Sequence, residues 1–301
     1  MADKGFDSRS PIKDFGWLAI FLVVLGVIWF AQGGPSRLSS ITSPYLKAPS
    51  APSSSSSREN NSGRENNIPA ENTFLQDILP NLQNSPYRGK VSLSAPGARQ
   101  TNPQQEYLEI RAGYNNAEPI SITGWTLKGT KGETVSIGGG AYLPYSAQVN
   151  PQNPISLEKN GEAIIVTGQS PIGTSFRLNI CTGYFNQFQT FYPSLPEECP
   201  RISQDEVPLN YPDACFDFVR SLNTCRMPLS SVPAAAGNDC ATFISRKANY
   251  SGCVTDHKND ANFYKPEWRI YLGRSGELWG NERDAIILLD QEGKLVDYVS
   301  Y

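Results

Sequence analysis

Residues 284–299 read DAIILLDQEGKLVDYV, and this stretch decides the fold class. Ala285 to Leu289 is an unbroken apolar run, the pattern of a short strand buried on both faces. Gln291-Glu292-Gly293 then forms a tight turn into a second strand, Leu295 to Val299. Asp284, Asp290 and Asp297 read as strand-end and turn residues of this hairpin. Upstream of it, Trp268, Ile270 and Leu272 share one face of a period-two strand.

The same alternation fills the chain from residue 91 to residue 180. Val91 and Leu93 begin it, and Leu108, Ile110 and Ala112 follow on one face. Ile120 and Ile122 alternate, but Trp125 and Leu127 follow with shifted parity. Gly124 stands at the shift, where a β-bulge would re-aim the strand. Val135 and Ile137 run into the turn Gly138-Gly139-Gly140. Ile155 with Leu157, Ala163 to Val166, and Phe176 with Leu178 and Ile180 complete the series. Trp125, Trp268 and Trp279 lie on strand patterns and are expected in the core. The 25 glycines and 23 prolines, with 11% aromatics, favour short strands and turns over long helices. The expectation is a mainly β chain, an antiparallel β-sandwich at 86–301. An insertion at about 181–265 interrupts it before the last three strands. Two helical signals lie in the insertion: Asp213 ahead of Phe216, Val219 and Leu222, and Asp239 ahead of Phe243 and Ile244.

All six cysteines fall in that insertion: Cys181, Cys199, Cys215, Cys225, Cys240 and Cys253. The intervening lengths are 17, 15, 9, 14 and 12 residues, so the close pairs of a zinc site are missing. An even number clustered in this way predicts three disulfides in an oxidising compartment, with the pairing left open. The net charge of −3 and the lack of a basic stripe exclude the electrostatic footprint of a nucleic-acid partner.

Residues 15–31 read FGWLAIFLVVLGVIWFA, seventeen positions without a charge. As a helix the run reaches about 26 Å, enough for a thin bilayer core. Phe15 and Trp17 at one end, with Trp29 and Phe30 at the other, suit the two interfaces. The expectation is an uncleaved signal-anchor at 15–32. The rival reading, a cleaved signal peptide, calls for a shorter run and a small-x-small exit. Lys4, Arg9 and Lys13 precede the span, so the tail 1–14 is expected in the cytoplasm and the rest outside. From 33 to 85 the chain is rich in Ser, Asn and Pro and reads as a disordered stalk. Inside it, Phe74, Leu75, Ile78, Leu79 and Leu82 follow helical spacing after Asn72-Thr73. They read equally well as a helix docked on the domain or as a transient helix in the stalk.

Three groups of phrases, in order, resemble the lamin-tail domain. They are Glu106-Tyr107-Leu108-Glu109-Ile110, Ile122-Thr123-Gly124-Trp125-Thr126-Leu127, and Leu278-Trp279 with 284–290 and 293–298. The similarity covers roughly 88–180 and 266–301. It implies an immunoglobulin-like sandwich without catalytic residues or cofactor, of the kind found in membrane-anchored proteins of small-genome bacteria. The insertion is a departure from the lamin tails of animals, so lamin partners do not carry over.

Little else in the chain points to chemistry. His257 is the one histidine, in a polar, turn-like stretch without a nucleophile elbow. Asp256 and Asp260 lack the ordered spacing of a calcium loop. No glycine loop for phosphate is present. Tyr184, Phe185, Phe188, Phe191 and Tyr192 crowd one stretch, either as an exposed binding face or as packing over the insertion. Asn60 and Asn249 each begin an N-x-S sequon. The leading functional expectation is a non-catalytic, membrane-tethered surface protein whose partner is another surface protein or an envelope polymer. The alternatives are an extracellular carbohydrate hydrolase with a carboxylate pair, and a self-assembling envelope component.

Overall fold

The computed structural model describes residues 22–25 and 70–301. The expected span at 15–32, with Phe15, Trp17, Trp29 and Phe30, therefore lies outside the described residues except for a helical turn at 22–25. The tail, sequon Asn60 and the stalk up to residue 69 also lie outside them. Among the described residues no helix is long and apolar enough to cross a membrane. The described residues from Ala70 to Tyr301 belong to one unit.

That unit is mainly β. One five-stranded sheet has the order β1-β2-β7-β9-β8, with β1 Val91–Ser94, β2 Tyr107–Ala112, β7 Glu162–Val166, β8 Phe176–Asn179 and β9 Tyr264–Tyr271. A four-stranded sheet has the order β11-β10-β4-β5, with β4 Thr126–Gly129, β5 Thr134–Ser136, β10 Ala285–Leu289 and β11 Leu295–Ser300. A small pair joins β3 Ile120–Ser121 to β6 Ser156–Leu157. The alternating residues read from the sequence are the buried ones. Leu108, Ile110, Ile165, Trp268 and Ile270 of the first sheet share one core with Leu127, Val135, Ile286, Leu288 and Val296 of the second. Trp125, Trp268 and Trp279 are all inside it.

Between the named strands, among the described residues, pairing is antiparallel with one exception. β7 and β9 run parallel, Ile165 opposite Ile270. Parallel neighbours need a long crossover, and the insertion between β8 and β9 supplies it. After the excursion the chain returns between β7 and β8, so β9 is a central strand. The expected bulge at Gly124 is instead a turn. Gly124 has φ +83°, Trp125 N–H donates to the Ile122 carbonyl at 3.1 Å, and the chain passes from the small pair into the four-stranded sheet.

Each sheet is covered on part of its outer face, while Ser92, Ser94 and Arg111 of the first and Thr134 and Ser136 of the second stay exposed. Helix α1, Ala70–Ile78, lays Leu75 against Ala285, Ile287 and Leu295, with Phe74, Ile78, Leu79 and Leu82 packed around them. This is the docked helix of the two sequence readings, and it explains the unbroken apolar run of β10. Ala70–Ile78, inside the expected stalk at 33–85, is thus helical, and Asn72-Thr73 lie within the helix. On the other sheet, Phe185 and Phe191 of the insertion pack on Phe176 and Leu178, with Tyr271 beside them.

Candidate functional site

The insertion is built from three short helices and three disulfides. Cys181 pairs with Cys253, Cys199 with Cys225, and Cys215 with Cys240. The first bond joins the residue after β8 and Ile180 to a late helix, closing the excursion at its base. Helix α2, Asp213–Ser221, buries Cys215 and Val219. Helix α3, Gly237–Lys247, buries Cys240, Phe243 and Ile244, and the two helices meet in a small second cluster. Helix α4, Tyr250–His257, had no signal in the sequence reading, which left 253–260 as a polar turn. Its cap is Asn249, whose Oδ1 accepts the Gly252 N–H at 2.8 Å while Nδ2 donates to the Ser245 and Arg246 carbonyls. The sequon at Asn249 is thus occupied by helix capping.

The aromatic row divides. Tyr184 and Phe185, on the 3₁₀ turn Thr182–Gln187, are buried, as is Phe191. Only Phe188 at 58% and Tyr192 at 39% are exposed, so the row as a whole packs inward and is not a single binding face. Asp256 pairs with Lys247 at 2.8 Å, and Asp260 with His257 Nδ1 at 2.8 Å. Burial works against the charge on Lys247, but the hydrogen bonds it donates to Asp256 and Glu206 outweigh it and raise its pKa. Among the described residues no cluster of three or more His, Cys, Asp or Glu is placed to hold a metal ion.

Three adjoining depressions cross the insertion. The first, about 190 Å³, is lined by Arg201, Arg220 and Arg226 over Ile202, Val219 and Leu222, without a carboxylate in its wall. The second, about 410 Å³, shares Leu222, Asn223 and Arg226 with the first and continues along Met227 to Leu229. The third, about 210 Å³, shares Met227 and Gln187 with the second and exposes Phe188 beside Tyr184, Phe185 and Tyr250. Gln187 fixes the middle of this groove. Its amide accepts the Met227 N–H and donates to the Met227 carbonyl, both at 2.8 Å. Burial raises the Tyr184 and Tyr250 hydroxyl pKa values, so both rings stay neutral.

The chain matches no family model, no curated protein and no solved structure.

The arginines owe their places to the disulfides. Arg201 lies two residues after Cys199, and Arg226 follows Cys225, so one bond holds both sides of the cleft. Cys225 itself has φ +56°, a left-handed conformation that a non-glycine residue adopts at a cost. Arg226 meets Glu197 at 2.8 Å and Arg220 meets Asp217 at 3.4 Å, both in exposed pairs. Such pairs contribute little and exchange partners readily. Arg201 donates to the Thr224 hydroxyl at 3.2 Å and has no carboxylate partner among the described residues.

Two buried carboxylates escaped the sequence reading as such. Glu106 accepts the Leu278 and Trp279 N–H groups, each at 2.9 Å. Asp284 accepts the Gly280 N–H at 2.6 Å and the Ala285 N–H at 2.7 Å. Burial raises the Glu106 pKa against the pull of its backbone donors. Together they tie down the loop around Trp279, and neither lines the groove. Arg269 is a buried charge of the opposite sign, and it meets Glu267 at 2.6 Å and the Pro193 carbonyl at 2.5 Å. It fastens the 193–194 segment of the insertion to β9. A period-two pattern cannot reveal such residues, because only their tertiary partners make burial tolerable.

Proposed function

We propose that this chain is a non-catalytic, membrane-tethered surface protein. In this reading an immunoglobulin-like, lamin-tail-like sandwich presents the groove of the insertion to another surface protein. The observation that carries it is the row of three depressions with shared lining residues, set on a segment held by three disulfides and by packing against the five-stranded sheet. Three disulfides favour an oxidising location, and the apolar run at 15–31 favours a tether. The insertion covers the β8 and β9 end of one sheet and helix α1 covers β10 of the other, which supports presentation of the groove over stacking of those strands.

The test is labelling of intact cells with a membrane-impermeant amine reagent, followed by cross-linking and identification of the captured protein. Labelled lysines on the β unit, without free thiols, support the reading. Six accessible thiols, or a domain reached only after lysis, overturn it. Glycan cleavage by the purified chain, lost in Glu106→Gln, would replace it with the hydrolase.

A further inference from the structure

We propose that the arginine-lined end of the groove takes the carboxylate of an acidic peptide segment, while the adjoining end takes an apolar side chain of the same segment. The proposal rests on the groove being a binding surface and adds the chemistry of its occupant. Arg201, Arg220 and Arg226 all line one cleft whose wall contains no carboxylate. A planar guanidinium fork matches a carboxylate with two parallel hydrogen bonds. Two of the three already hold exposed carboxylates of this chain, Glu197 and Asp217, which a ligand can displace. Arg201 has its fork directed to a single hydroxyl, Thr224.

The cleft is small. About 190 Å³ suits one side chain or chain end rather than a drug-sized ligand. Ile202, Val219 and Leu222 add apolar lining beside the arginines, and a charge-assisted pair strengthens where apolar lining displaces water. The neighbouring depression offers Met227 and Leu229, and Leu229 is 77% exposed. Flexible thioether and aliphatic groups adapt to an apolar side chain. A sugar ring is less well served, because Trp125, Trp268 and Trp279 are in the core and no tryptophan among the described residues lines the groove. Anion next to apolar side chain is the signature of an acidic-apolar peptide.

The experiment uses the full chain in detergent micelles, with three disulfides verified by non-reducing mass spectrometry. The probe is a fluorescein-labelled peptide of alternating Glu and Leu, read by anisotropy. A matched peptide with Gln for Glu, and inorganic phosphate as competitor, complete the set. The acidic probe is expected to bind, and to weaken as salt rises from about 50 to about 500 mM. Arg201→Gln and Arg226→Gln should each weaken it about tenfold or more, and Arg201→Lys less. Met227→Ala should weaken it a few-fold with its disulfides and melting temperature unchanged. Equal binding of the Gln peptide overturns the inference and leaves the groove reading intact. Binding of neither peptide overturns both. Phosphate competing at equal concentration, with Met227→Ala silent, makes the cleft a free-anion site and also overturns it. Unchanged affinity in Arg201→Gln with intact disulfides does the same.

Discussion

The β body, from Val91 to Asn179 and again from Tyr264 to Ser300, contains no cysteine, whereas the insertion from Cys181 to Cys253 contains all six. The body buries whole strand faces in one core shared by two sheets, and it covers the outer face of β10 with α1. The insertion has one cluster that leans on the body and a second, built by α2 and α3, that stands on few side chains. Small clusters do not recover the entropy of ordering their chain, and cross-links reduce that entropy in the unfolded state. The difference teaches where adaptability lies. The body is a scaffold specified by periodic burial, and the insertion is a surface specified by covalent bonds.

The comparison breaks first at the base of the insertion. Replacing Cys181 and Cys253 together by Ala removes a cross-link over 72 residues, with an expected cost of about 4 kcal/mol by the chain-entropy estimate. Denaturant titration of the full chain checks it. A cost near zero would mean that the insertion is held by the sheet alone. Next comes Arg269→Ala, which leaves the Pro193 carbonyl and Glu267 without their buried donor, at about 3 kcal/mol. Limited proteolysis should then cut near 193–194 before it cuts the strands.

Glu106→Ala tests the body in the same way. It leaves two buried N–H groups unpaired and should cost about 2 kcal/mol. The pH dependence has a definite sign. The folded pKa of Glu106 lies above its ordinary 4.5, so the fold holds the proton more tightly than the unfolded chain does. Its contribution is complete below about 4.5 and fades as pH rises through the folded value. Glu106→Gln should remove that slope. Asp290 gives the opposite slope and the smallest effect. Burial pushes its pKa up, but hydrogen bonds from Ser85 and from the Lys294 and Glu292 N–H groups outweigh it and bring it below 3.8. Its stabilisation is present above about 3.8 and is lost as pH falls through the folded value. Asp290→Ala should cost about 1 kcal/mol by loosening the hairpin turn, measured at neutral pH.

Period-two burial made the strands legible, because Leu108 and Ile110, or Trp268 and Ile270, must share a face wherever their partners lie. The unbroken run of β10 likewise announced a cover, and α1 supplies it. The parallel pairing of β9 with β7 was not legible, since register across 100 residues leaves no local mark. Helix α4 was missed because its burial amounts to about one turn around Cys253, and its cap, Asn249, carries a competing sequon meaning. The aromatic row allowed two readings, and packing over the insertion accounts for Tyr184, Phe185 and Phe191, while Phe188 on the far side of the 3₁₀ turn is exposed. The groove arginines, spread from 201 to 226, form no basic stripe, and only the Cys199–Cys225 bond gathers two of them at one cleft.

Hydrogen exchange of the full chain with and without the acidic probe tests the division of labour most directly. Slowed exchange confined to residues near 201 and 220–229, unchanged in β1 to β11 and lost in the Cys199→Ala, Cys225→Ala double variant, is the expected result. Protection that instead falls on strand edges of the body, or that survives loss of that disulfide, would contradict the account.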